Sequence, residues 1–236
     1  MVGLRDSGLY AGSGVAEIER FRGKFPAALV AVAIELGEAR RRAGAKFGEN
    51  AASALIADRA GVEMASSAAV ADHKAARFVR VSGAGATVAD FCCGIGGDAM
   101  ALTRAGLDVI GVDADPIRAW MCSENAGCQA VVGHAEDDRA SPHTPWFHLD
   151  PARRIEGSGA RRVFRLEDLS PGPDAWRTVI ERSQRCASGG KWGGAIKLGP
   201  GVDPNEVRCA IGERVPLEME YISQDGRMSQ AVAWLG

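Results

Sequence analysis

From residue 15 to about residue 80, apolar positions recur at helical spacing. Ile18, Phe21 and Phe25 come first, then Leu29, Val32, Ile34 and Leu36, a pattern that predicts three or four helices. Glycines at 37, 44, 48 and 61 are expected to break the run, Asn50 to cap a helix over residues 51–57, and Ser66 or Ser67 to cap another through Val70, His73 and Phe78. Residues 1–14, rich in Gly and Ser, are expected to be poorly fixed. Beyond residue 80 the period changes. Residues 87–91 are β-branched, small or aromatic apart from Asp90, as in a strand buried on both faces, and Met100, Ala101 and Leu102 begin a helical run after a glycine turn. Strands are then expected over 108–112, 129–132, 146–149 and 195–198, with helices over 116–125, 173–186 and 205–211. Such alternation demands a parallel sheet covered on both faces. The last two strands, 217–223 and 228–235, flank Gln224-Asp225-Gly226-Arg227, and Asp-Gly between strand-like runs signals an antiparallel hairpin. The pattern therefore predicts an α/β chain: a helical appendage over residues 1–80, then a mostly parallel sheet with a C-terminal hairpin over 81–236.

Composition narrows this only a little. A chain of 236 residues, 46% hydrophobic and 25% charged, has ample material for one large domain or a domain with an appendage. No uninterrupted apolar run approaches a membrane span, and Arg5 and Asp6 do not lead into a signal-peptide core, so the cytoplasm is the expected compartment. The six cysteines, at 92, 93, 122, 128, 186 and 209, show neither Cys-x-x-Cys pairing nor histidines at zinc spacing. Free thiols and no metal are expected. A formal net charge of −2 offers no global attraction to nucleic acid, so any such affinity must come from local patches. Two short basic patches exist. Arg40, Arg41, Arg42 and Lys46 are either a solvated helix face or a phosphate contact; Arg153, Arg154, Arg161, Arg162 and Arg165 are either a solvated loop or a clamp for phosphates.

The candidate chemistry gathers at strand ends. Gly94, Gly96 and Gly97 allow a tight turn and a close backbone approach to a ligand, and the helix that follows turns its free amides toward whatever the loop holds. Gly94-Ile95-Gly96-Gly97-Asp98-Ala99 also fits the dinucleotide fingerprint with alanine in its last position, which keeps a nicotinamide-dependent oxidoreductase open as an alternative. Asp113, about 20 residues beyond the turn, is placed to bond ribose hydroxyls, and Asp115 to cap the next helix. Asp90, four residues before the first loop glycine, suits a ligand with a positive amino group better than a nicotinamide. Asp150-Pro151 ends the fourth strand as an acceptor-rich corner suited to an exocyclic amine.

Together, Asp90-Phe-Cys-Cys-Gly-Ile-Gly-Gly97, Asp113, Asp150-Pro151 and the closing hairpin resemble a class I S-adenosylmethionine-dependent methyltransferase. Phe91-Cys-Cys-Gly-Ile-Gly-Gly97 more narrowly resembles the trimethylguanosine synthase group and bacterial THUMP-like methyltransferases. The resemblance spans roughly Lys46 to Gly236. It implies a Rossmann-like sheet and S-adenosylmethionine as cofactor, with Asp90, Gly94 and Gly96 at the methionine end, Asp113 at the ribose, Asp137 at the adenine amine, and Cys92, Gly97 and Ala135 also on the cofactor. It further implies methyl transfer to an exocyclic amine of an RNA base, with Asp150 and Pro151 catalytic; Arg153 and Arg154 follow that corner as candidate substrate contacts, and Lys197 borders it, either reaching a phosphate or closing the sheet edge. A small-molecule acceptor is the alternative. The chain departs from base-modifying relatives in having Ala152 and Arg153 where a second proline and a stacking aromatic are common, so stacking would fall to Phe47 or Trp192.

Overall fold

The computed structural model describes residues 7–139, 141–153 and 165–236, with only the backbone of Arg153. Contacts divide the chain into two compact units, Met1–Ala68 and Ala69–Gly236. The division falls before the helix that ends at Ser82, not after residue 80, because that helix buries Ala71, Ala75 and Phe78 in a cluster with Val88, Leu102 and Trp234 of the sheet unit.

The first unit is helical: α1 (Val15–Arg22), α2 (Ala27–Phe47), α3 (Glu49–Ala54) and α4 (Arg59–Met64). Gly37 and Gly44 do not break α2, which runs on until Gly48 at φ 79°. Both serve close approach. A Cβ at Gly37 would stand 1.8 Å from the Leu9 carbonyl oxygen, and one at Gly44 2.4 Å from a Glu49 carboxylate oxygen. Leu9, expected in a loose leader, is 1% exposed against Val30 and Ala33. Asn50 lies inside α3, whose N-cap is Gly48, so it is not the cap that the sequence suggested.

The basic run of α2 is engaged internally. Arg40 Nε donates to the Leu55 carbonyl at 2.9 Å, Arg41 and Arg42 pair with Glu38 at 3.0 and 3.2 Å, and Lys46 Nζ donates to the carbonyls of Val62, Glu63 and Ala65, each at 2.8 Å. Lys46 thus satisfies the orphan carbonyls at the end of α4, the role a cation suits at a helix C-terminus.

The second unit opens with α5 (Ala68–Ser82) and continues β1 (Thr87–Phe91), α6 (Gly97–Arg104), β2 (Asp108–Asp113), α7 (Pro116–Ala126), β3 (Gln129–Val132) and β4 (Trp146–Leu149). A short ribbon, β5 (Ala152–Arg153) against β6 (Leu169–Ser170), precedes α8 (Pro173–Cys186), β7 (Gly193–Leu198), α9 (Pro204–Ile211), β8 (Leu217–Gln224) and β9 (Arg227–Leu235). The main sheet has the order β3-β2-β1-β4-β7-β9-β8. Its first five strands are parallel and β9 joins β7 antiparallel. Asp225 and Gly226 both have positive φ, 51° and 73°, the geometry an Asp-Gly hairpin turn requires. Every residue of β4 is buried, as is all of β1 after Thr87, which is why both run as near-continuous apolar stretches. The strand order reverses between β1 and β4. Ligands of open α/β sheets bind in the crevice beyond the carboxyl ends at such a switch point.

Candidate functional site

Two turns meet at that switch point. Beyond β1 the chain passes through Cys92 (φ 57°), Gly94 (φ 55°) and Gly96 (φ 83°) before α6 begins. Left-handed backbone at a non-glycine residue such as Cys92 costs about 1–2 kcal/mol and is typical of ligand-holding turns. The two glycines do different work. A Cβ at Gly96 would lie 3.1 Å from the Cys122 Cα, so its absence lets α7 pack closely, whereas a Cβ at Gly94 meets nothing within 4 Å and would occupy open space above the turn. Asp113, at the tip of β2, fixes this turn: its carboxylate accepts from the Gly94 amide at 2.9 Å and the Asp115 amide at 3.0 Å. Asp115 caps α7 through the Ile117 amide, as its position suggested.

Beyond β4, the Asp150 amide donates to the Phe91 carbonyl at 3.1 Å, so the Asp150-Pro151 step is tied to the end of β1. The β5–β6 ribbon then pins the exit of this turn, pairing Ala152 with Ser170 and Arg153 with Leu169. Arg154, Arg161 and Arg162 lie outside the described residues, as does the Arg153 side chain; Arg165 is exposed. Lys197, a candidate for the substrate, donates to Asp150 Oδ2 at 2.6 Å. Burial opposes its charge, but Asp150 and Asp98 hold its ammonium above the ordinary lysine range. Lys197 therefore orients the Asp150 carboxylate.

Cys92 opens the turn beyond β1. Burial pushes its thiol well above the usual value, and Asp113, Asp150, Asp90 and Glu136 push it further in the same direction. Glu136, which the sequence did not single out, acts on the thiol together with the three expected acids. Asp137, expected at the adenine amine because His134 stands where an acid is common, accepts from the Arg139 amide through one carboxylate oxygen at 2.9 Å. Ala135 is buried, and its carbonyl accepts from Arg182 of α8 at 3.0 Å, which clamps this loop beside the crevice.

Below the turn lies a buried polar network that the sequence reading passed over. Asp90 and His148 are register partners on β1 and β4, both 1% exposed, and His148 Nδ1 stands 2.7 Å from Asp90 Oδ1. Lys74 of α5 reaches His148 Nε2 at 3.2 Å and Asp98 Oδ1 at 2.7 Å. Burial lifts the Asp90 carboxyl above its ordinary value, against the pull of His148. For Asp98 burial acts the same way, but Lys74, His148 and Lys197 outweigh it and hold the carboxyl well below the carboxylate range. The one available signal was a histidine inside an otherwise apolar strand.

Trp192 lies elsewhere. It precedes β7 at the end opposite Lys197 and lines a cavity of about 740 Å³ with Trp146, Trp234 and Arg77, so it is no stacking residue for the crevice at the strand tips. Phe47 ends α2 in the first unit. His73 of α5 bonds Glu220 at 2.7 Å with its side chain 49% exposed.

No family model matches the chain. Two uncharacterised S-adenosylmethionine-dependent methyltransferases, from two strains of Mycobacterium tuberculosis, are each 32% identical over 203 residues, covering 83% of this chain and 51% of theirs. The chain spans about half the length of the curated relatives it matches. A solved structure from Porphyromonas gingivalis W83, described as a methyltransferase, superposes with a TM-score of 0.71 at 19% identity, over 99% of this chain and 57% of that one. Magnesium protoporphyrin IX methyltransferase of Synechocystis, solved with S-adenosylmethionine, gives 0.50 at 15% identity, over 75% and 80% of the two chains. These relatives lend no support to the oxidoreductase alternative. By its sheet order, its glycine turn and these similarities, the chain carries the class I S-adenosylmethionine-dependent methyltransferase fold.

Proposed function

We propose that this chain is the catalytic domain of an S-adenosylmethionine-dependent methyltransferase acting on an exocyclic amine of an RNA base, within the trimethylguanosine synthase and THUMP-like group. The observation that carries the reading is the joining of the glycine turn and the Asp150-Pro151 turn at the strand-order switch: Asp113 accepts from the Gly94 amide at 2.9 Å and the Asp150 amide donates to the Phe91 carbonyl at 3.1 Å, which sets acids beside the place where open sheets bind ligands. The residues fit the cofactor: Gly94 leaves open space above the turn, and Asp90 Oδ2 is a buried acceptor with no hydrogen-bond partner among the described residues. Asp90, Cys92, Gly94, Gly96 and Gly97 take the methionine end, Asp113 the ribose, and the loop of Ala135, Glu136 and Asp137 the adenine. When bound, the cofactor supplies a methyl group on a sulfonium, which leaves as a neutral thioether.

The protein's own part is positioning. Lys197 holds one oxygen of Asp150, so the carboxylate faces the acceptor in a fixed orientation. Asp150 and the Pro151 carbonyl accept the hydrogens of the amine, aim its lone pair, and stabilise the positive charge that develops on nitrogen. The arginines from 153 to 165 support an RNA acceptor through forked contacts to phosphate. One observation favours a small-molecule acceptor instead: the other basic run, Arg40–Arg42 with Lys46, is engaged within the helical unit.

Incubation with methyl-labelled S-adenosylmethionine and fractionated cell extract tests the reading. Label in RNA is expected, and Asp150→Ala abolishes its transfer while sparing cofactor affinity. Label confined to small molecules would refute the RNA assignment, and a fully active Asp150→Ala variant would refute the mechanism. RNA binding through several arginines also weakens steeply with salt, which a small-molecule acceptor does not require.

A further inference from the structure

The network beneath the glycine turn has a fixed direction. An ammonium only donates hydrogen bonds, so at 3.2 Å from Lys74 Nζ the His148 Nε2 is an acceptor, and the ring carries its hydrogen on Nδ1. From there it donates to Asp90 Oδ1 at 2.7 Å. The edge of Phe78 meets the ring at 79°, with centroids 6.4 Å apart, and holds its plane. Asp98, 2.7 Å from the same ammonium, keeps Lys74 in place from the first turn of α6. Every member of the network is buried. At its end stands Asp90 Oδ2, buried and without a hydrogen-bond partner among the described residues. A buried carboxylate oxygen with no donor is costly, and a ligand that brings one removes the cost.

We propose that Lys74 and His148 are positioning residues for the cofactor: Lys74 fixes His148 as the Nδ1–H tautomer, and His148 holds Asp90 by one oxygen, which reserves the other for the ammonium at the donor's methionine end. This rests on the reading of Asp90 given above. Nothing in the relay touches the methyl group, so its effect falls on donor affinity and not on the acceptor.

Two substitutions of the histidine separate this role from a merely structural one. His148→Asn places an amide N–H where Nδ1–H stands and loses the acceptor for Lys74; His148→Gln keeps a polar atom near Lys74 and loses the donor to Asp90. Each forfeits one buried hydrogen bond, so both lower the melting temperature to a similar extent. Titration with S-adenosylmethionine and with S-adenosylhomocysteine, followed by calorimetry, then reads the difference. His148→Gln weakens both ligands about tenfold or more, and His148→Asn weakens them less than about threefold. Equal weakening in the two variants, or none in His148→Gln, overturns the relay. Asp90→Asn distinguishes the underlying reading: unchanged affinity in that variant refutes the role of Asp90 itself, whereas weakened binding there with normal binding in His148→Gln refutes the relay alone. A measurement on the unaltered protein needs no variant to fold. Nitrogen-15 imidazole spectra at neutral pH show the Nδ1–H tautomer for His148, and an Nε2–H or doubly protonated ring overturns the proposal.

Discussion

Replacing Lys74 by methionine removes the ammonium from Asp98 while keeping most of the side chain's volume. Lys74 is 2% exposed in its side chain and Asp98 8%, so no solvent replaces the lost partner. Removing one member of a buried pair costs about 3–5 kcal/mol, because the remaining charge stays buried and uncompensated. In a unit of this size each kcal/mol moves the melting temperature by about 2–4 °C, so a fall of about 6–20 °C is expected by calorimetry at pH 7. The pH dependence changes too. In the unaltered protein Asp98 is held below its unfolded value of about 3.9, so its contribution is present above that pH and is lost as pH falls further. Without Lys74, burial, already the largest influence, is still opposed by His148 and Lys197 but no longer by Lys74, so the carboxyl rises. The gap between variant and parent therefore narrows as acidification protonates Asp98 in the variant. Adding Asp98→Leu to Lys74→Met should recover much of the loss, since an apolar pair of similar volume replaces a buried ion pair at little cost. A Lys74→Met protein within about 1 kcal/mol of the parent at pH 7 would refute the argument.

Other expectations follow from single contacts. Lys46→Met should destabilise the helical unit by about 2–4 kcal/mol in urea unfolding, because three carbonyls lose a charged donor together. Gly96→Ala must accommodate both a φ of 83° and the Cys122 backbone, and should lower stability by more than Gly94→Ala, which meets only the φ penalty of about 1 kcal/mol. Cofactor titration should nevertheless show both variants impaired, Gly94→Ala because its methyl group fills the open space above the turn. Asp115→Ala should cost about 1 kcal/mol through the lost α7 cap, measurable by thermal unfolding.

The sheet was legible in the sequence because its signals are local. Buried strands such as β1 and β4 are short apolar runs between turn residues, and Asp225-Gly226 suits the backbone of one kind of hairpin. The glycine turn and the acids at the strand tips were legible for the same reason. What escaped depends on contacts between distant residues. Gly37 looks like a helix breaker until the Leu9 carbonyl is seen against it, and Lys46 looks like a surface charge until the end of α4 is placed beside it. Lys74 and His148 are 74 positions apart, and neither pattern nor propensity pairs them. Lys197 was legible as a residue bordering the strand ends, but its ion pair with Asp150, just beyond β4, was not.

The acids gathered about Cys92 also bear on how the protein can be handled. A thiol held in its protonated form is a poor nucleophile, so maleimides and iodoacetamides applied near neutral pH should pass over the crevice. Cys209, exposed on α9, is open to those reagents. A fluorophore attached there would report on folding and on ligand titrations while leaving the glycine turn and the strand tips untouched.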